Sequence, residues 1–311
     1  MGGNQQWSRL GSSTTSSVDN KQRKTVKAKV PKRENIVFVG SEMSYNDFWW
    51  KMMFVAAACR LASTGQGLRP AHRKTLAYVD NGYTHSEKLT LEALRTLGFD
   101  LVALHSSADV VKCLNRERDD FKLQDVAFFS HGVVGQICLN YAHSVEVNVD
   151  EDNLSSIRSD AFASDGRIFS YACRTGTGKE DYKLGFKSKA DAMPENSLAQ
   201  KMADHLKVEV HAYMRRTLYR SVIRAEAEAE GISTTLKEQR KDHEGEIIDI
   251  PPSHQALPHP GLSVSWNPIS RRFYEGVHDY ALWRKRGGAC LPDVHETPAG
   301  VPPEMLVYRP Q

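Results

Sequence analysis

Two apolar runs of this chain end in residues able to do nucleophilic chemistry. "VAFFSHG", residues 126–132, closes on Ser130-His131-Gly132, and "IFSYAC", residues 168–173, closes on Ala172-Cys173. A thiol attacks as the thiolate, and imidazole is its usual base or charge partner. A glycine beside the histidine lets a substrate backbone approach closely, and its amide can hold an oxyanion. Each residue alone has a bland reading. Buried cysteines commonly pack and nothing more, and a histidine at a strand end is commonly a surface or hydrogen-bonded residue. The pair, each just past an apolar strand, points to one Cys/His site.

For the two to meet, their strands must be parallel neighbours ending at the same edge of a sheet, where α/β folds build their sites. The chain has the rhythm for it. Short apolar runs at 35–40, 75–80, 99–105, 124–130, 167–172 and 208–214 read as six strands, and helical patterns at 46–63, 84–98, 107–117 and 196–206 fall between them. Thr84 and Glu87 stand at capping-box spacing, and Gly98 is a C-terminal stop. Continuous apolar strands alternating with helices predict a mostly parallel sheet covered on both faces. The alternating stretch 136–149 reads as a β-hairpin inserted after the His131 strand. "GLSVSW", 261–266, has the composition of a further strand.

Composition bounds the rest. The chain has 311 residues, 40% hydrophobic and 25% charged, the make-up of an ordinary globular protein. The five cysteines, Cys59, Cys113, Cys138, Cys173 and Cys290, form no CxxC pair, which argues against a disulfide framework and against structural zinc, and for a reducing compartment. Cys59, Cys113 and Cys138 lie inside apolar helix or hairpin patterns and read as packing residues. No run of eighteen apolar residues occurs, so no membrane span is expected. Residues 1–33 hold eight Lys/Arg against Asp19 alone, a net +7, so with +3 for the whole chain the remainder carries −4. The basic charge therefore belongs to a polar leader rather than to a folded face, and no nucleic-acid partner is expected. Residues 1–33 read as a disordered basic tail, 34–291 as one folded domain with a charged insertion or arm at 221–260, and 292–311 as an irregular Pro-rich tail.

Competing motifs fail on inspection. "CRTGTGKE", 173–180, is no P-loop, because Cys173 stands at the first glycine position and Glu180 follows Lys179 where Ser or Thr is needed. GxSxG and HExxH are absent. His254 and His259, in a Pro-rich stretch, offer only a weak metal reading.

The blocks "VAFFSHG" and "IFSYAC", with about forty residues from His131 to Cys173, resemble the clan CD cysteine peptidases, the caspase-like group. The resemblance covers roughly residues 34–216. It implies a caspase-like three-layer α/β sandwich: a mostly parallel six-stranded sheet, helices on both faces, and the hairpin insertion after the His strand. It implies a cysteine endopeptidase with Cys173 as nucleophile, His131 as acid–base, and the Gly132 and Cys173 amides on the oxyanion. Ser130, Arg174 and Arg215 stand as substrate-contact candidates. No cofactor is implied. The partners implied are a protein or peptide substrate and a regulatory protein or anionic activator, in the cytoplasm or, for a secreted effector, a host cytosol. The alternatives are a non-catalytic protein-binding scaffold and a ligand-gated autoprocessing domain. The chain departs from animal caspases, with Tyr171 before Ala172 and Arg174-Thr175-Gly176 after the cysteine, as a divergent, bacterial-type relative would. The lysine-rich stretch 175–196 is the expected place for control by self-cleavage, with Lys179, Lys183, Lys187 and Lys189 as cut sites.

Overall fold

The computed structural model describes residues 31–42, 51–63, 67–84, 94–118, 120–141, 145–180, 185–219 and 291–311, with 87–88, 91–92, 222, 257–258 and 265–266. The basic leader up to residue 30, most of the 221–260 segment, His143, His254, His259 and Cys290 lie outside them.

The six expected strands form: β1 (Lys32–Val39), β2 (Arg73–Val79), β3 (Phe99–Leu104), β4 (Phe121–Phe129), β8 (Phe162–Ser170) and β9 (Glu209–Ala212). Between β4 and β8 lie β5 (His131–Val133), β6 (Gln136–Cys138) and β7 (Asn148–Val149). Later come β10 (Thr217–Leu218), β11 (Leu257–Pro258), β12 (Ser265–Trp266), β13 (Asp293–Val294) and β14 (Leu306–Tyr308). The helices are α1 (Met53–Ser63), α2 (Ser107–Asn115), α3 (Glu151–Leu154) and α4 (Leu198–Leu206). Ser106 and Ser197 cap α2 and α4 by accepting from Asp109 N and Gln200 N.

The main sheet has the order β14-β9-β8-β4-β1-β2-β3 and is parallel except for β14, which runs antiparallel to β9. It has seven strands where six were expected. The seventh comes from the segment read as an irregular Pro-rich tail. An edge strand needs one row of backbone partners only, so prolines before Leu306 do not keep this stretch out. Lys32 and Arg33, counted with the leader on charge, open β1, where Lys32 lies over the Phe121 ring and Arg33 pairs with Asp165. Ser265–Trp266 does pair, with Leu257–Pro258 rather than with the main sheet.

Alternation along the strands sends side chains to two cores. Val37, Val39, Leu76, Ala127, Phe129 and Phe169 pack with α1 on one face. Ile36, Phe38, Ala77, Val126, Phe128 and Ile168 pack on the other with α2, α4 and the β6–β7 insertion. Ile36, Phe38, Phe128 and Phe129 are fully buried. Phe38 and Phe128 stack at 4.8 Å on one face, and Phe129 and Tyr171 at 4.4 Å on the other. Burial on both faces explains why the strands read as continuous apolar runs rather than as alternating ones. Among the described residues no helix is long and apolar enough to cross a membrane.

Candidate active site

Parallel pairing aligns β4 with β8, Phe128 opposite Ser170, and Tyr171 N donates to Phe128 O at 2.9 Å. His131 leaves β4 after one turn residue, and Cys173 leaves β8 three residues past its last strand residue. The backbone of Gly132 lies directly against that of Cys173. A Cβ on Gly132 would stand 2.7 Å from Cys173 O, 2.8 Å from Ala172 Cβ and 2.9 Å from Cys173 N. Close approach, rather than a left-handed turn, is why glycine and alanine occupy these positions.

The expected hairpin is a three-stranded sheet that begins at His131 itself, which pairs with Cys138 across β5 and β6. It is docked back onto the end of β1, where Ser41 N donates to Leu139 O at 2.7 Å. That docking brings the next residue, Glu42, to the histidine. Glu42 Oε2 lies 2.8 Å from His131 Nε2, and the carboxylate is almost wholly buried while the imidazole is one-third exposed. With Glu42 accepting from Nε2–H, the proton sits on Nε2 and Nδ1 carries the lone pair. The ring is held from the core side by Phe54, edge-on at 5.2 Å, and flanked by Tyr141 at 5.5 Å.

The thiol has its own partner. Thr217 N donates to Cys173 Sγ at 3.2 Å, and Thr217 Oγ1 lies 3.4 Å from the sulfur while donating to Tyr171 O at 2.8 Å. Four neighbouring strands, β1, β4, β8 and β9, thus deliver Glu42, His131, Cys173 and Thr217 to one sheet edge in that order. Sequence reasoning missed Glu42 and Thr217. "VFVGSE" carries the same signal that exposed His131, an apolar strand ending in Gly and then a titratable residue. Nothing in the order of the chain says that β1 would neighbour β4.

The loop after Cys173 is tightly tied. Arg174 is left-handed, with φ +57°, an uncommon conformation for a residue with a side chain that costs on the order of 1–2 kcal/mol. Arg174 N donates to Arg215 O and Gly176 N to Tyr213 O. The buried hydroxyls of Thr175 and Thr177 meet Ser170 Oγ and Met214 O. These bonds give "RTGTG" a structural use in place of phosphate binding. The Arg174 guanidinium faces Glu180 at 3.4 Å, and Arg215 Nε donates to Val301 O at 2.9 Å. Ser130 is a correction. It is fully buried, with its hydroxyl donated to His131 O at 2.9 Å, so it supports the histidine from beneath rather than meeting substrate. Cys113 and Cys138 are buried as expected, and burial pushes their thiols up to about 11 and about 12, the latter with help from the Glu146 charge. In the 175–196 stretch Lys179 is paired with Asp191 at 2.9 Å, Phe186 N donates to Ala299 O, and Lys183 lies outside the described residues.

No protein-family model, curated protein or solved structure compared with this chain matches it.

Proposed function

We propose that the protein is a cysteine endopeptidase with the caspase-like arrangement that the His-Gly and Ala-Cys motifs resemble. The observation that carries this reading is the backbone contact of Gly132 with Cys173, which fixes the histidine and cysteine strand ends against each other beside the Glu42–His131 hydrogen bond.

The chemistry follows from the groups present. His131 Nδ1 takes the Cys173 thiol proton, and the thiolate Sγ attacks the scissile carbonyl carbon to form a C–S bond. The carbonyl π pair moves to oxygen, where the Gly132 and Cys173 amides are the nearest candidates to hold it. The C–N bond then breaks while His131 gives a proton to the leaving amine. Water attacks the resulting thioester with His131 taking its proton, the acid product leaves, and the thiolate returns. Glu42 keeps the imidazole oriented and balances the imidazolium charge. The Thr217 N–H is the kind of donor a thiolate sulfur accepts. A regulatory protein or anionic activator and a cytoplasmic or host-cytosolic setting belong to the same proposal.

A second reading is a protein-binding scaffold. The Thr217 contacts favour it, since they also satisfy a thiol that does no chemistry. One experiment separates the two. Wild type, Cys173→Ala and His131→Ala are incubated with a proteome-derived peptide mixture, and the cysteines are labelled with iodoacetamide in parallel. The peptidase reading expects new peptide termini from wild type only, ~10²–10⁴-fold slower turnover for His131→Ala, and labelling of Cys173 ahead of Cys113 and Cys138. Absence of cleavage, with slow and equal labelling of all cysteines, would leave the scaffold.

A further inference from the structure

We propose that Tyr141 forms the wall of the leaving-group subsite and selects substrates with an aromatic or large aliphatic residue immediately after the scissile bond. The inference rests on the peptidase reading above and names the substrate class of that same site.

A histidine that protonates the leaving amine must stand on the leaving-group side of the scissile carbonyl. The residue bearing that amine therefore passes along whichever flank of the imidazole is open. Among the described residues, two sides of the imidazole are occupied. Nε2 is taken by buried Glu42, and the edge-on ring of Phe54, fully buried, closes the core side. Among the described residues Tyr141 is the other aromatic neighbour, 5.5 Å away and tilted by 51°. Its side chain is half exposed, unusual for an aromatic ring touching a candidate catalytic group.

The exposure is not that of a loose surface residue. Asn140, just before it, is buried and pinned, with its Oδ1 accepting from Val147 N at 2.6 Å and its amide donating to Val145 O. Leu139, one residue earlier, is wholly buried and docked on Ser41. Tyr141 is thus held out beside His131 by anchored neighbours. Among the described residues, two of the five exposed large apolar side chains, Tyr141 and Val145, belong to this insertion, the same element that carries His131. An aromatic or long aliphatic side chain laid against Tyr141 removes apolar surface of both partners from water, and ring pairs add to that. A glycine or aspartate at the same place gains nothing there.

The test reads the residue after each cut. Wild type, Tyr141→Ala, Tyr141→Phe and, as a remote control, Val307→Ala on the β14 edge digest the same peptide mixture, and the new amino-terminal residues are sequenced. The expected result is enrichment of Phe, Tyr, Leu and Met over Gly, Ser and Asp by roughly 10-fold for wild type, Tyr141→Phe and Val307→Ala. It should collapse toward unity for Tyr141→Ala, with its melting temperature, measured alongside, showing that the variant is folded. Cleavage with no such enrichment in wild type, or with enrichment unchanged in Tyr141→Ala, overturns this inference and leaves the peptidase reading standing. No cleavage by any variant overturns both.

Discussion

In the proposed mechanism, Glu42 is the residue that sets the state of the His131 imidazole. In the proposed reaction it acts through the imidazole rather than on the substrate. Glu42→Gln keeps the shape and a polar group but removes the charge opposite the imidazolium. Turnover should fall about 10- to 10²-fold, less than the ~10²–10⁴-fold that acid–base help itself contributes, with KM little changed. A shifted pH–rate profile is the signature of a positioning residue, and Glu42→Asp should recover part of the rate. Unchanged kcat and pH profile in Glu42→Gln would remove it from the mechanism. That His131 and Cys173 stand at adjacent strand ends was legible because each follows a long apolar run, a contrast that one dimension of sequence displays. Glu42 and Thr217 were not, because their relevance depends on which strands become neighbours. Ser130 was misread for a related reason: polarity next to a histidine says nothing about which side of the backbone it faces, and here it faces inward.

At the scale of elements, the β5–β6–β7 insertion and the loop after Cys173 meet at one glycine. Gly132→Ala would push a methyl into the Cys173 carbonyl and the Ala172 side chain, and neither neighbour is the free end of a flexible group. Overpacking of this kind costs about 1–3 kcal/mol. The variant should melt lower than wild type, and its turnover, measured where it remains folded, should fall by more than the unfolded fraction explains. Full turnover at a reduced melting temperature would mean that the two strand ends need no fixed contact. The strands and the helices at 107–115 and 198–206 were readable because burial on both faces leaves a strong pattern. The role of 306–308 was hidden, because three residues next to prolines carry too little periodicity to outweigh the breaker signal.

At the scale of the whole molecule, two further buried carboxylates lie away from the candidate site. Near the amino ends of the strands, buried Glu34 holds Arg116 and Arg118, and buried Asp125 holds Arg69 and Arg167. Burial alone would raise the Asp125 carboxyl, but hydrogen bonds from Arg167 and Arg69 outweigh it and hold the group below the ordinary carboxylate value. A depressed folded-state value means stability that is present above about pH 4, the unfolded carboxylate range, and is lost as pH falls through the folded value. Asp125→Asn should lose that acid-dependent part and remove the carboxylate that Arg69 and Arg167 share, with Arg69 keeping Asp165. Both arginines are partly exposed, so the loss at neutral pH should sit at or below the low end of the ~3–5 kcal/mol seen when a buried pair is broken. Urea unfolding at pH 7 and pH 3.5 checks this. A wild-type-minus-variant difference that does not shrink at the lower pH would assign the acid sensitivity elsewhere.

The Tyr308 hydroxyl donates to Gly176 O at 2.6 Å across 132 residues of chain, and Gly176 lies three residues past Cys173. In time rather than space, this makes the turn that carries Cys173 one of the last parts of the fold to be finished. A ribosome delivers β4, β8 and β9 long before it delivers residues 306–308, so a nascent chain can already hold His131 and Cys173 on paired strands while the clamp on the cysteine turn is still unmade. If the proposed peptidase activity needs that clamp, the order of synthesis alone would keep the enzyme from acting on its own half-made chain. Chains stalled before and after residues 306–308 clear the ribosome should therefore differ in covalent capture by a peptide electrophile directed at Cys173, with capture appearing only in the second. Equal capture in both would show that the turn is competent without its clamp.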